Sequence, residues 1–361
     1  MKSTGHIAAL DGLRGLAAII VVLFHLFETF SKGAATQVLN HGYLAVEFFF
    51  LLSGYVLCHA YDKRWDTMSF IGFMRRRVRR LHPMIIFGSI VGLSLLFLQK
   101  STLFPILDGV PLWNILLAFL LGCLMIPLAP GLDIRGWTEM YPLNSPQWTM
   151  LYEYLANIVY ALILRKAGKR TLCLLAALAA IFLADLTLNL NILSVYGDRG
   201  DQAYTVIGGW TSAWSDVYIA LVRLTFPFLA GMLLSRLQLG IHYGKGPIMA
   251  ALLLVAALCC PRIFPSVPWV NGIYELLCVL VVLPLVLLLA KAHPVSESCS
   301  RLCVALGEFS FPLYLVHFPF VYVQISLCER YPGNGLLISA GCFILMLATA
   351  WLFTRINRRL S

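Results

Sequence analysis

Residues 7–30 of the chain read IAALDGLRGLAAIIVVLFHLFETF, an apolar stretch long enough to cross the roughly 30 Å hydrocarbon core of a membrane as one helix. Arg14 and His25 interrupt this stretch and lie eleven residues apart. Eleven helical steps of about 100° make three turns plus about 20°, so both side chains share one helix face, roughly 16 Å apart along the axis. Ionisable groups inside a membrane helix are costly and usually face a polar interior or a ligand path. The stretch therefore predicts a first membrane helix with a functional face.

The composition of the whole chain supports a membrane location. Of the 361 residues, 60% are hydrophobic and only 12% are charged, and the mean hydropathy is +0.83. A soluble protein of this length could not bury so much apolar surface, so we expect an all-α, polytopic integral membrane bundle. The net charge of +10 comes from cations that cluster between apolar runs. There they set membrane topology, and they do not indicate a nucleic-acid partner.

Lysine and arginine clusters follow the second, fifth, seventh and ninth apolar segments and end the chain, and the positive-inside rule places all of them in the cytoplasm. This requires that one segment between the second and fifth does not cross. Segment 111–128 is short and bounded by prolines, so we expect it to be re-entrant or peripheral. The prediction is one domain over 1–361 without an appended soluble domain, with about ten transmembrane helices and cytoplasmic N- and C-termini. The eleven apolar segments lie near 7–30, 43–61, 84–99, 111–128, 147–164, 171–192, 217–235, 247–264, 272–290, 303–327 and 335–353.

The ten cysteines lie mostly inside apolar segments, and no CxxC pair suggests a metal ligand set. We interpret them as small buried hydrophobic residues and expect neither a metal site nor a disulfide framework.

Each polar residue of the first helix has two interpretations. Asp11 and Arg14 are three residues apart and can form a helix-end ion pair, or Arg14 can face a ligand. His25 is either a hydrogen-bonded residue of the bundle or a base, because imidazole can take a proton near neutral pH. Glu28, one turn further on, could orient the imidazole or lie at the outer surface.

The second segment and the basic stretch after it also carry candidates. Glu47 lies near the outer end of the second segment, and Ser53 and Gly54 would let another backbone approach closely. Residues 73–83 read FMRRRVRRLHP, with five arginines in six positions. Arginines bind phosphates through two parallel hydrogen bonds, but they also anchor helices to anionic lipids, so both interpretations stay open. We expect Pro83 in the first turn of the next helix.

Two further ionisable residues fall inside apolar segments. Glu153 lies about two turns into a helix that we expect to begin near Gln147. A buried carboxylate needs a partner or an elevated pKa, which makes Glu153 a site candidate. His317 lies inside the tenth segment, where a structural role and a functional role both remain possible.

Taken in order, these motifs resemble the membrane-bound acyltransferase-3 family over residues 10 to about 350. Single motifs are weak signals, but five in the same order are specific. The departures are conservative: Glu47 replaces the usual Asp, Thr149 replaces Ser and Phe311 replaces Tyr. The matching positions are Arg14 and His25; residues 46–55, including Glu47 and Ser53; Arg76, Arg77, Arg80 and Pro83; Trp148, Leu151 and Glu153; and Gly307, Ser310, Tyr314, Leu315, His317 and Pro319.

The resemblance implies transfer of an acyl group, most often acetyl, from cytoplasmic acyl-CoA to a hydroxyl of a cell-envelope carbohydrate or a small molecule. It also implies the bacterial cytoplasmic membrane as the location and no metal cofactor. Arg76, Arg77 and Arg80 would hold the phosphates of the donor, with Arg14 near the same face. His25 would be the general base or a transient acyl carrier.

Glu153 would orient His25 or bind the hydroxyls of the acceptor. A rival function is a transporter or flippase whose buried charges line a translocation path. The chain shows no duplicated halves, which argues against that class.

Overall fold

The computed structural model describes residues 7–31, 33, 36–239, 241 and 243–360, with side chains through 356. The described part of the chain is an all-α bundle without a named β-strand. Its helices are α1 (Ala8–Glu28), α2 (Ala45–Tyr61), α3 (Phe70–Leu95), α4 (Leu112–Cys123), α5 (Gln147–Leu162), α6 (Lys169–Thr187), α7 (Trp214–Leu237), α8 (Gly246–Cys259), α9 (Pro268–Leu277), α10 (Leu283–Ala290), α11 (Glu297–Arg330) and α12 (Gly335–Leu360), and a π-helical turn, Cys278–Val282, joins α9 to α10.

All eleven predicted apolar segments contain helix, which confirms the expected polytopic helical membrane protein. Among the described residues, eight helical spans are long and apolar enough to cross a membrane. They are Ala8–Glu28, Gly42–Arg64, Phe70–Leu98, Lys169–Thr187, Trp214–Leu237, Pro268–Ala290, Glu297–Arg330 and Gly335–Ile356.

Three helices outside these eight spans are too short to cross fully. Helix α4, in the segment predicted to be re-entrant or peripheral, has 12 residues and a length of about 18 Å. Helices α5 and α8 have 16 and 14 residues. The count of ten crossings and the cytoplasmic position of both termini therefore stay predictions.

Helix α3 corrects one expectation about the arginine cluster. It begins at Phe70, and Ser69 caps it by accepting a hydrogen bond from the Gly72 amide, so Pro83 lies in the helix interior instead of the first turn. The cluster is therefore helical, and positions three or four apart share a face. Proline in a helix interior removes one backbone hydrogen bond. In α3 this does not end the helix, which continues to Leu95.

Glycines allow two helix pairs to pack at very short distance. A methyl group added at Gly54 of α2 would lie 2.0 Å from the Phe228 carbonyl oxygen of α7. A methyl group at Gly231 of α7 would lie 2.0 Å from the Leu51 carbonyl oxygen of α2. This confirms the expected close approach at Gly54, which is the usual role of small residues in membrane helix packing.

Helices α1 and α11 meet in the same way. A methyl group added at Gly15 would lie 2.8 Å from the Leu306 carbonyl oxygen, and one at Gly307 would lie 2.5 Å from Asp11 Cβ. Glycines on both helices therefore fix how closely the first helix packs against the eleventh.

The two long polar stretches, 129–146 and 193–216, lie together at one end of the bundle. Glu139 and Thr211 form an antiparallel bridge, and the Met140 amide donates to the Trp210 carbonyl at 2.8 Å. These loops cover one of the two large cavities described below.

We expect Gly54→Ala to destabilise the bundle, because the added methyl must displace the α7 backbone. Overpacking of this kind costs about 1–3 kcal/mol. Gly341→Ala in α12 is the matched control, since nothing lies within 4 Å of a methyl group there. Thermal unfolding in one detergent should show a lower midpoint for Gly54→Ala and no loss for Gly341→Ala. Equal midpoints would contradict the close packing of α2 and α7.

Candidate active site

Arg14 is fixed between α1 and α11. Its Nε donates to Ser310 Oγ at 3.0 Å, and its Nη2 donates to the Gly307 carbonyl and to Asp11 Oδ1, both at 2.9 Å. The expected ion pair with Asp11 is therefore present, yet Arg14 also lines a cavity. The ion pair is thus confirmed, and a ligand contact of Arg14 stays a prediction.

A cavity of about 410 Å³ opens beside Arg14. We call it the arginine cavity, because Arg14, Arg77 and Arg80 line it together with Ser53 and Glu153. Arg77 donates from Nη2 to Glu153 Oε1 at 2.7 Å, and Ser53 Oγ donates to the same oxygen at 2.7 Å. The Glu153 carboxylate thus joins helices α2, α3 and α5. These two hydrogen bonds explain why a carboxylate is tolerated inside an apolar helix.

The predicted arginine trio is split by the helical geometry of α3. Arg77 and Arg80 line the arginine cavity, whereas Arg76 is exposed outside it and contacts Met68 Sδ at 3.7 Å. Arg80 makes no hydrogen bond or ion pair with any residue that the structure describes. The cavity set is therefore Arg14, Arg77 and Arg80, and Arg76 lies outside it. The expected phosphate contact of Arg76 stays a prediction.

His25 is held on two sides. Its Nδ1 lies 3.0 Å from Glu28 Oε2, so the contact expected one turn along the helix is present. Because a carboxylate accepts, Nδ1 donates, and in the neutral form of this ring the lone pair is on Nε2. The imidazole stacks on His317 with ring centroids 5.4 Å apart and planes 26° apart, and Phe318 contacts its edge at 4.9 Å.

His317 is fully buried behind His25. Its Nδ1 donates to the Tyr314 carbonyl at 2.7 Å, while its Nε2 has no hydrogen-bond partner among the described residues. The donated bond fixes the tautomer, so a neutral imidazole face supports the ring of His25.

A second cavity, of about 930 Å³, contains His25 and is called the histidine cavity. Glu28, Glu139 and Arg223 contribute its charged groups together with Glu329. Its wall is rich in aromatic side chains, namely Phe24, Tyr43, Trp137, Trp148, Trp210, Tyr314 and Phe318.

Tyr314 and Val46 line both cavities. Tyr314 is buried, its hydroxyl lies 3.2 Å from Thr149 Oγ1 and its ring packs edge-on against Phe49 at 5.4 Å. The arginine cavity and the histidine cavity are therefore neighbours that share a wall, with Arg14 in one and His25 in the other. Within the described part of the chain, no group of three or more His, Cys, Asp or Glu side chains is placed to hold a metal ion.

Comparison with known proteins adds the family. The family model described as an acyltransferase domain matches residues 7–355, almost the whole chain. This protein belongs to the acyltransferase-3 family. The chain is similar to acyltransferase MdmB of Streptomyces mycarofaciens, with 27% identity over 335 residues, covering 87% of this chain and 78% of that protein.

Two other relatives match over shorter regions. Protein 2 in the picA locus of Rhizobium radiobacter is 30% identical over 185 residues, which cover 48% of this chain and 91% of that protein. Peptidoglycan O-acetyltransferase OatA of Listeria monocytogenes is 34% identical over 86 residues, which cover 23% of this chain and 12% of that protein. No solved structure matches the chain significantly.

The family positions of this acyltransferase fall around the two cavities. Trp148 and His25 line the histidine cavity, Ser53 and Glu153 line the arginine cavity, and Tyr314 lines both. Glu153 binds Arg77 and lines the arginine cavity, whereas His25 lines the other one, so the structure shows no contact among the described residues through which Glu153 would orient His25. Its alternative role toward acceptor hydroxyls stays a prediction.

Glu47 lies outside both cavities and supports the wall. It forms a buried ion pair with Arg223, 2.6 Å from Glu47 Oε1 to Arg223 Nε. Arg223 stands 5.1 Å from the ring centroid of Trp148. Glu47 thus contacts the wall of the histidine cavity through Arg223, which in turn lies beside Trp148.

Sequence reasoning missed Arg223 and Glu139. Arg223 is a lone cation inside an apolar segment, the same signal that singled out Arg14, so it could have been found. Glu139 lies in a polar loop, where a carboxylate carries no signal. Tyr322 Oη donates to both of its oxygens, at 2.7 and 2.8 Å, and Arg135 Nε lies 3.7 Å away. Burial raises the pKa of Glu139 to about 7.

Proposed function

We propose that this acyltransferase moves an acyl group, acetyl by default, from acyl-CoA to a hydroxyl of a carbohydrate or related acceptor across the shared wall of its two cavities. The observation that carries the proposal is the placement of a cationic cavity and a histidine-bearing cavity side by side along α1. The donor would enter the arginine cavity from the cytoplasmic face and the acceptor would enter the histidine cavity. The family membership favours this function over the transporter class.

The arginine cavity suits the donor chemically. Coenzyme A carries phosphates and a long flexible arm that ends in the thioester. Arg80 makes no hydrogen bond with the described residues and is available to a phosphate, whereas Arg77 already binds Glu153. Arginine binds phosphate with strong charge-assisted hydrogen bonds. The apolar part of the lining, including Val56, Leu81 and Met84, would cover the arm.

The histidine cavity supplies the base. With Nδ1 donating to Glu28, His25 Nε2 would take the proton of the acceptor hydroxyl. The hydroxyl oxygen then attacks the thioester carbonyl, the carbon–sulfur bond breaks, and the thiolate leaves as coenzyme A with the proton from His25. A transient acyl-histidine is the second route open to the same geometry. Nε2 would attack the thioester carbonyl, the carbon–sulfur bond would break and coenzyme A would leave. The acceptor hydroxyl would then displace the imidazole from the acyl carbon and lose its proton to it.

Tyr314 and Val46 stand where the two substrates must meet. The thioester lies on the arginine side of this wall and His25 on the other, so the acyl carbon has to reach past these side chains. The names of the relatives support the acceptor class. OatA is named a peptidoglycan O-acetyltransferase, and peptidoglycan contains carbohydrate hydroxyls.

The role of His25 predicts that His25→Ala abolishes acyl transfer. General-base catalysis contributes about 10²–10⁴-fold to the rate, so the transfer rate of the variant should be at least about two orders of magnitude below that of the unchanged protein. Labelled acetyl-CoA and a panel of sugar acceptors, incubated with purified protein, would report both transfer and release of free coenzyme A. The control is His59→Ala, an exposed histidine outside both cavities. Transfer that survives His25→Ala unchanged would refute the assigned base.

The split of the arginine cluster predicts different donor affinities for two neighbouring variants. Arg80→Ala should weaken acetyl-CoA binding about tenfold or more, because a hydrogen bond to a charged group contributes about 1.5–3 kcal/mol. Arg76→Ala removes the same charge outside the cavity and should change the Kd little. Titration of acetyl-CoA into each purified variant gives the two constants. Equal weakening would show that the cluster attracts the donor only through its overall charge.

A further inference from the structure

The histidine cavity has an uneven distribution of charge. Besides His25, four side chains of the acidic and basic residue types line it: three carboxylates (Glu28, Glu139 and Glu329) and one guanidinium (Arg223). A ligand that enters beside His25 therefore meets mainly carboxylates.

Each nitrogen of the Arg223 guanidinium already donates a hydrogen bond to another group of the protein. Arg223 Nε donates to Glu47, Nη1 donates to the Gly208 carbonyl at 2.8 Å, and Nη2 donates to the Tyr43 carbonyl at 3.4 Å. Its charge is balanced by Glu47, which is fully buried. Arg223 consequently has few free N–H donors and little uncompensated positive charge for an anionic ligand.

The three carboxylates differ in how far a nearby positive charge compensates their negative charge. Glu139 has Arg135 behind it at 3.7 Å. Glu28 bonds His25 and its side chain is 52% exposed. Glu329 is exposed and accepts from the Thr102 amide, at 3.1 and 3.0 Å from its two oxygens, and this amide carries no charge. Glu28 and Glu329 therefore leave the cavity with a negative field.

The apolar part of the wall favours a ligand that presents a flat, weakly polar surface. Trp137, Trp148 and Trp210 line the cavity, and Trp137 Nε1 donates to the Leu103 carbonyl at 2.9 Å, which fixes its ring. Aromatic faces bury the C–H faces of sugar rings, and the neighbouring carboxylates accept hydrogen bonds from sugar hydroxyls.

We infer that the acceptor bound in the histidine cavity is an uncharged or amino-bearing sugar, and that sugars carrying carboxylates close to the reacting hydroxyl are excluded. The inference rests on the proposed function for the assignment of this cavity to the acceptor. A carboxylate placed beside His25 would face Glu28 and Glu329, and the described lining of this cavity offers it no unoccupied lysine or arginine. Like charges brought together are costly.

Binding tests the inference without any need for chemistry. The probes are three trisaccharides: chitotriose as the neutral member, fully deacetylated chitotriose as the amino-bearing member, and trigalacturonate as the anionic member. The purified full-length protein without donor should bind the neutral or the amino-bearing probe, and trigalacturonate roughly tenfold or more weakly. Equal or tighter binding of trigalacturonate, or binding of none of the three, would overturn the inference.

A charge-neutral variant links the preference to the cavity. Glu329→Gln keeps an oxygen for the Thr102 amide and should narrow the gap between the neutral and anionic probes by about two- to fivefold. Glu297→Gln removes the same charge at the other end of α11 and should leave the gap unchanged. An unchanged gap in Glu329→Gln contradicts the charge argument. Acyl transfer to the same probes is measured separately, so a loss of transfer with the binding preference intact counts against the proposed function alone.

Discussion

The close packing of α1 against α11 is the constraint on which the site depends. Gly15 and Gly307 bring the two backbones together, and no larger side chain fits without displacing its neighbour. At one end of this contact Arg14 donates to Ser310 and to the Gly307 carbonyl. At the other end His25 stacks on His317. Two costly polar residues of one membrane helix are therefore both held by the same partner helix, each at the mouth of its own cavity.

Under the proposed function, this arrangement would give the two halves of a transfer reaction separate places. The arginine cavity has the charge for a phosphate-bearing donor, and the histidine cavity has a base, carboxylates and aromatic rings. Tyr314 stands between them on α11, one turn before His317, whose ring supports His25. A single helix pair thus sets the distance from Arg14 to His25. It also carries Tyr314, which lines both cavities.

Much of this could be predicted from the sequence, for identifiable physical reasons. Apolar runs long enough to span a bilayer have few alternatives to helix, and the spacing of Arg14 and His25 fixes a common face. The partner of Glu153 could not be predicted, because Arg77 is 76 positions away and the pair depends on how α3 and α5 cross. The start of α3 at Phe70 decides which arginines face inward. It is not evident from the sequence, because Pro83 and the charges of that region suggest that the helix begins later. Glu139 lies in a loop whose path follows from tertiary contacts alone.

The most direct test of the account is the sidedness of the reaction. Protein reconstituted in one orientation in sealed vesicles would receive labelled acetyl-CoA only on the face where the arginine cavity opens, with the sugar acceptor enclosed on the opposite face. We predict labelled acceptor on the face opposite the donor, with free coenzyme A released on the donor face. Acylation only of acceptor supplied on the same face as the donor would contradict a transfer across the wall between the two cavities.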